Sequence, residues 1–433
     1  MMLESVIHAL TEQTQPVYFV GGCLRQYFLK KPIHDYDFVV EGSAIALARK
    51  LSQRFSLPCF ILDTERDIAR VALSREDTLD FASLQGKDLK NDLLQRDLTL
   101  NAMALPVTPE LLHGTVTPEM CIDPVGGYAD LQAGIVRGIQ EANFLSDPLR
   151  LIRAFRFATQ HGFSIEPETL AWTQQHAVCL ESSASERILA EITKILNAKH
   201  LDVLSRALPV LSQITGISEE KLSGNVKDVQ ALHALLISQH NPYFKTPVTG
   251  ERQVSTLCLC FVLCFAHEFR RGVDMLGAEG AKVFLSTIKS KNRLYKALSN
   301  SEQAFLQRLV QLFMDLGRLR LEDKITQSQV LRTLKSEVFS AALLAHLWQN
   351  ESPVMEHAHR QLQQMVVYWK EKDHPIAHPI HYLKGHEIAE LLNEKPGPRI
   401  GQIISQLLDA QAVNEVTDRA SAIRYLQQNF KRE

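Results

Sequence analysis

The chain has 433 residues, 45% of them hydrophobic and 22% charged, which suits a water-soluble globular protein with ample cores in roughly two to four domains. A formal net charge of −2 does not by itself suggest a nucleic-acid partner. No run approaches the ~18 uninterrupted apolar residues of a membrane span, so no membrane partner is expected. The opening Met1-Met2-Leu3-Glu4-Ser5 lacks the basic and apolar regions of a secretory signal, and the seven cysteines are odd in number and scattered. Reduced thiols and a cytoplasmic setting are the expectation.

In chain order, the first 135 or so residues alternate short apolar runs with helical stretches, the α/β pattern. Strands are predicted at 17–20, 36–40, 59–62, 68–73 and 78–82, with an amphipathic helix over 43–55 carried by Ile45, Leu47, Ala48 and Leu51. Their mixture of hairpin-like and crossover connections predicts a small mixed sheet. From about Asp147 the pattern turns helical, with an apolar face of Leu149, Ile152, Phe155, Phe157 and Ala158 and with Arg150, Arg153 and Arg156 on one side. Residues 215–250 are polar and broken by Pro242 and Pro247, and a second break runs through Asp373, His374, Pro375, His378, Pro379 and His381. After Gly385 two or three helices are expected, punctuated by Pro396-Gly397-Pro398. The expected division is a head at 1–135, a neck at 136–214, a body at 215–372 and a tail at 373–433.

Charge is distributed unevenly. Residues 1–150 hold 14 Lys/Arg against 20 Asp/Glu, whereas residues 270–335 hold 13 against 6. An acidic front and a basic segment downstream suit a polyanion that lies along the chain and offers its end to the front, although a solvated basic helix gives the same count.

The chemistry is concentrated in the head. Asp35 and Asp37 lie two apart at the start of a strand, so both carboxylates project from the same face. Paired hard oxygen donors of this kind suit Mg²⁺, which keeps some waters and shares its other positions with substrate phosphates. Upstream, the run Val17–Val20 ends in Gly21-Gly22, where a backbone without side chains can approach a triphosphate closely. Further on, Arg96 can meet phosphate, and Asp97 and Asn101 can bond sugar hydroxyls. Asp80, at a strand end, is either a third carboxylate or structural. Cys258, Cys260 and Cys264 lack the spacing of a zinc site and read as a buried apolar helix. His374, His378, His381 and His386 read as loop histidines, and Lys289, Lys291, Arg293 and Lys296 either grip RNA phosphates or face water.

Taken together, these stretches resemble the class II tRNA nucleotidyltransferase and bacterial poly(A) polymerase family. The carriers are Gly21-Gly22-Cys23-Leu24-Arg25-Gln26 with Asp35-Tyr36-Asp37, then Arg96-Asp97 with Asn101, then Gly126-Gly127 with Asp130-Leu131, and Ser146-Asp147 with Arg150. The resemblance covers about residues 15–200 and resumes weakly near Gly397-Pro398-Arg399-Ile400-Gly401. It implies an α/β nucleotidyltransferase head followed by an elongated all-α neck, body and tail. It also implies Mg²⁺-dependent, template-independent addition of nucleotides to a tRNA 3′ end from CTP and, in the complete CCA-adding version, ATP. By the same resemblance Asp35 and Asp37 are the catalytic metal ligands. Gly22, Arg25, Arg96 and Asp97 would hold the triphosphate or ribose, Asn101 belongs to the same motif, Asp147 and Arg150 would read the base edge, and Arg153 would lie near the phosphates.

The chain departs from the family pattern where Gln26 replaces an aspartate and Ser146 a glutamate. Only 15 residues separate Asp80 from Arg96, a short connection that resembles the CC-adding subgroup, whose members leave the terminal adenosine to a separate A-adding enzyme; a simple loop trim is the alternative. A poly(A) polymerase and a non-catalytic RNA-binding protein with a vestigial head are the rival expectations.

Overall fold

The computed structural model describes residues 2–112, 116–237, 293–315, 319–350 and 353–430. The chain divides into two units, Met1–Ile214 and Thr215–Glu433. The cysteine-rich stretch and part of the basic segment that the sequence singled out, Lys289 and Lys291 included, lie outside the described residues.

The first unit is built on a six-stranded mixed sheet of order β3-β4-β5-β2-β1-β6. Its strands are β1 (Val17–Val20), β2 (Asp35–Val40), β3 (Cys59–Asp63), β4 (Ile68–Ala72), β5 (Thr78–Ser83) and β6 (Ala104–Pro106). All neighbours are antiparallel except β2 and β5, which run parallel. The five predicted strands are present to within a residue. The three-residue β6 carries too short a pattern to read; its pairing with β1 and a bridge from Ala104 to Ile122 create it.

Period-two alternation sorts the sheet into two faces. One face buries Phe19, Phe38 and Phe81 from adjacent strands, with ring centroids 4.5 Å and 4.9 Å apart. The first helix, α1 (Met2–Thr11), contributes Val6, Ala9 and Leu10 to this core, and the helix between β2 and β3 (Ala44–Phe55) contributes Leu47, Ala48 and Leu51. The second of these helices starts where Ser43 accepts a bond from the Ala46 amide, the expected serine cap. The opposite face is covered only in part: Val20 and Val39 pack with Leu89 and Leu93. Asp35, Asp37, Asp80 and Arg70 share the parity of Val39, and they line an open cleft.

Some helices connect the strands and others follow the sheet. In chain order α2 (Gly22–Phe28), α3 (Ala44–Phe55), α4 (Leu89–Leu94), α5 (Gly127–Ala133), α6 (Glu141–Ser146), α7 (Leu149–His161), α8 (Pro167–Gln175) and α9 (Ser185–Leu196) complete the parts used below. Helix α7 buries Leu151, Ile152, Phe155 and Phe157, and its arginines are directed toward the cleft.

Every described secondary-structure element of the second unit is a helix. Its last three helices, Gly385–Leu392, Pro398–Ala412 and Arg419–Asn429, close on Ile388, Ile400, Ile403, Leu407 and Leu426. Of the histidines read as loop residues, His374 stacks on Tyr368 at 4.0 Å and His378 bonds the Trp369 carbonyl at 2.8 Å, whereas His386 lies in the helix Gly385–Leu392. Among the described residues no helix is long and apolar enough to cross a membrane.

Candidate active site

A cleft of about 810 Å³ opens on the uncovered face of the sheet. It is lined by every residue to which the sequence assigned a role in nucleotide or metal binding: Gly22, Arg25, Asp35, Asp37, Arg96, Asp97, Asn101, Asp147, Arg150 and Arg153. These come from helix α2, strand β2, the segment after α4, the α6–α7 junction and helix α7, so the fold gathers residues spread over more than a hundred positions.

The glycine pair is explained by what stands against it. Gly21 has φ +69° and ψ −125°, a backbone conformation that costs glycine little and other residues much. A Cβ at Gly21 would stand 3.2 Å from Arg96 Nη1 and 3.6 Å from Asp37 Oδ2, and one at Gly22 would stand 3.4 Å from that same oxygen. The turn thus brings bare backbone to the carboxylate and the guanidinium together.

Asp37 is the electrostatic focus. In the parallel pair it stands opposite Asp80, and in the next pair Asp80 stands opposite Arg70. Arg70 takes both oxygens of Asp80 in a bidentate pair, Nε and Nη2 each at 2.6 Å. Asp35 is exposed and accepts a bond from Thr78 Oγ1 at 2.9 Å. Asp37 makes no ion pair among the described residues. Burial, with the negative charge of Asp80 next and Asp35 adding to it, pushes its carboxyl up to about 6, against the opposing pull of Arg96 and the Gly22 amide.

Whether this site fits a cation follows from that imbalance. Two hard oxygen donors on one strand, one of them desolvated and unneutralised, lack positive charge that a divalent ion would provide. Among the described residues no group of three or more acidic, histidine or cysteine side chains converges to cage an ion. The donor set therefore fits an ion such as Mg²⁺, which is held by two carboxylates and completed by waters and substrate phosphates, and does not fit one that needs an all-protein cage.

The opposite wall is an arginine cluster. Asp97 is its anchor: Oδ2 takes Arg153 Nη2 at 2.6 Å and Nε at 2.7 Å, while Oδ1 accepts from Asn101 Nδ2 and the Leu98 amide, both at 2.9 Å. Burial works to raise its carboxyl, but Arg153, the Asn101 bond and Arg150 bring it down to about 2. Asn101 in turn accepts from Arg25. Asp97 and Asn101, expected to bond sugar hydroxyls, are committed to this network instead. Arg25 is nearly buried, and burial lowers its guanidinium to about 10 against the pull of Asp97. Arg96 is held by Asp92 at 3.0 Å and by the Asn101 carbonyl at 3.2 Å.

Several contributors carry weaker signals in the sequence. Phe157 carries three guanidinium groups on its ring: Arg156 at 4.3 Å, Arg25 at 4.6 Å and Arg153 at 5.4 Å from the centroid. It reads as one more apolar helix residue, and only its position among three arginines hints otherwise. Arg156 is diverted to a buried pair with Glu191 at 3.2 Å, so the third arginine of the series braces α7 against α9. Arg187 pairs with Asp147 at 3.2 Å. Arg150 bonds the Gln95 carbonyl at 2.8 Å and the Asn143 carbonyl at 3.2 Å. No sequence pattern marks Asn143.

Comparison with known proteins agrees with this geometry. Residues 17–137 match the poly A polymerase head domain, and residues 162–208 match a region described as the probable RNA and SrmB-binding site of polymerase A. A CC-adding tRNA nucleotidyltransferase of Synechocystis is 25% identical over 94% of this chain and 92% of its own length. One of Geobacter sulfurreducens is 40% identical over 42% of this chain and 41% of its own. An A-adding tRNA nucleotidyltransferase of Deinococcus radiodurans is 28% identical over 94% of both chains. Among solved structures, a CCA-adding enzyme in complex with ATP superposes with TM-score 0.68 at 20% identity, covering 100% of this chain and 94% of that one, a likeness of fold. A tRNA-processing enzyme superposes with TM-score 0.59 at 26% identity, covering 94% of this chain and 98% of that one. The front of the chain thus matches the poly A polymerase head domain and the RNA-binding region behind it, and the full-length relatives are named as CC-adding and A-adding tRNA nucleotidyltransferases.

Proposed function

We propose that the protein extends tRNA 3′ ends with cytidines, using CTP and Mg²⁺, and leaves the terminal adenosine to a separate A-adding enzyme. The observation that carries this reading is the unneutralised Asp37 carboxylate, set against a bare glycine turn and facing an arginine wall. Such a site favours a substrate that brings polyphosphate together with a divalent cation. Asp35 and Asp37 would hold that cation, which when bound supplies positive charge to the attacking hydroxyl and the departing pyrophosphate.

The chain's own residues divide the remaining work. Gly22, Arg25 and Arg96 receive the triphosphate. Asp97 aims Arg153 at it and keeps the cluster from splaying. Asp147 and Arg150 line the same cleft, and there a carboxylate acceptor and a guanidinium donor would complement the cytosine edge. The helical segments, 136–214 as neck, 215–372 as body and 373–433 as tail, would hold the RNA through its phosphates and shape. Support for cytidine addition comes from the CC-adding relatives and from the short 15-residue connection before Arg96. The A-adding relative of equal span makes adenosine addition the outcome to test against.

The test uses one tRNA lacking CCA, CA or A alone, incubated with Mg²⁺ and labelled CTP, ATP or both, with products sized to the nucleotide. Growth by two cytidines and no more is expected. Addition of the last adenosine would make it a complete CCA-adding enzyme. Long A tails on any RNA would make it a poly(A) polymerase, and no addition under any condition would overturn the catalytic reading.

A further inference from the structure

We infer that Asn143 is a positioning residue for nucleotide choice: it fixes the frame on which the base-reading Arg150 is held. The inference rests on the proposed role of Arg150 and adds the reason that its donor pattern is constant.

Helix α4 ends at Leu94, and the carbonyls of Leu94, Gln95 and Arg96 follow one another at its C-terminal end, where helix carbonyls lack partners within the helix. All three are taken by side chains from the segment 143–150. The Asn143 Nδ2 group donates to Leu94 O at 2.8 Å and to Arg96 O at 2.7 Å, and Arg150 Nη1 donates to Gln95 O between them at 2.8 Å. The backbone carbonyl of Asn143 then accepts from the same Arg150 nitrogen at 3.2 Å and from Ser146 Oγ at 2.8 Å. Asn143 is 8% exposed, so these bonds exchange little with water.

The consequence for Arg150 is geometric. A guanidinium is planar with five N–H donors, and spending one nitrogen on two fixed carbonyls leaves the plane little freedom. Its remaining donors then present one pattern. Cytosine offers two adjacent acceptors, N3 and O2, whereas uracil places an N–H donor at the N3 position. A fixed donor pair discriminates between these bases; a mobile one adapts to both. The same amide clamps the carbonyl of Arg96, so the triphosphate arginine and the base-reading arginine share one support.

The test compares kcat/KM for CTP and UTP, with tRNA lacking CCA as acceptor, in the full chain and in Asn143→Ala and Asn143→Asp. The aspartate variant keeps the volume but faces two carbonyls with oxygens that cannot donate, which covers the case in which the alanine variant fails to fold. The expected result is a fall of at least about tenfold in the preference for CTP over UTP, with half-saturation by tRNA unchanged. A merely structural role would lower the rates for CTP and UTP by the same factor, and an unchanged preference in either folded variant would overturn the inference. Wild-type protein that fails to prefer CTP would instead overturn the proposed function, so the two failures are distinguishable.

Discussion

Replacing Asp37 with asparagine should abolish nucleotidyl transfer yet make the metal-free protein more stable at neutral pH. The carboxyl has an ordinary value of 3.8 and is pushed up to about 6 in the folded chain, chiefly by burial and then by Asp80. The sign follows from that direction. Below about pH 3.8 the group is neutral in both folded and unfolded chains and costs nothing; above about pH 6 it is charged in both, and the fold bears the full penalty. At about 1.4 kcal/mol per pH unit the penalty reaches about 3 kcal/mol. The amide of the Asp37→Asn variant keeps the shape and removes the charge. Denaturant unfolding of wild type and Asp37→Asn in EDTA, at steps from pH 8 to pH 4, should show the variant more stable by about 1–3 kcal/mol at pH 8. The difference should shrink toward zero near pH 4. Adding Mg²⁺ at pH 8 should stabilise the wild type and leave the variant unchanged, since the ion replaces the charge that the site lacks. A variant less stable than wild type at pH 8, or a difference independent of pH, would refute the reasoning that Asp37 is a held, unneutralised charge.

Three further perturbations probe the rest of the site. Arg70→Met should strip Asp80 of its bidentate partner, add uncompensated negative charge beside Asp37, and move the acid limb of the activity–pH profile to higher pH; an unmoved limb would dissociate Arg70 from the catalytic carboxylate. Gly21→Ala should cost on the order of 1–3 kcal/mol through its positive-φ backbone alone. It should also crowd Arg96 Nη1 at 3.2 Å, so activity should fall by more than stability does, as paired kinetic and unfolding measurements would show. Phe157→Leu should loosen three arginines at once, raising KM for CTP severalfold with little change in kcat, while Phe157→Tyr restores it; equal effects of both substitutions would assign the ring a packing role only.

The site also has a pH dependence built from opposite signs. Asp97, brought down to about 2 by its arginines and the Asn101 bond despite burial, contributes stability that is present above about pH 3.8 and lost as pH falls through about 2. Asp37, shifted the other way, releases its penalty over the range in which Asp97 is still charged. The two carboxylates therefore part company in mild acid: the arginine wall stays assembled while the cation site becomes neutral. Loss of activity between about pH 6 and 5 should thus come without loss of the fold.

The sequence by itself determined the strands, the glycine turn, the carboxylate pair and the arginine series, because each is written in a local period. Alternation placed Asp35 and Asp37 on one strand face, and Gly21 takes a backbone conformation that a side chain would strain. Motif order then supplied the identity of the head, since residues as distant as Gly22 and Arg153 line one cleft. What only the tertiary structure decided is which charges are spent and which are free. Asp97 and Asn101 look available for sugar hydroxyls in the sequence, but Arg153 and Arg25 consume them. Arg156 belongs to the arginine series by spacing, yet Glu191, 35 positions away, claims it. Asn143 has no marker at all, because its role consists of reaching two carbonyls on another segment. Local periodicity fixes where a side chain points; whether its charge remains free depends on what distant chain the fold brings against it, and that is settled only when the layers pack.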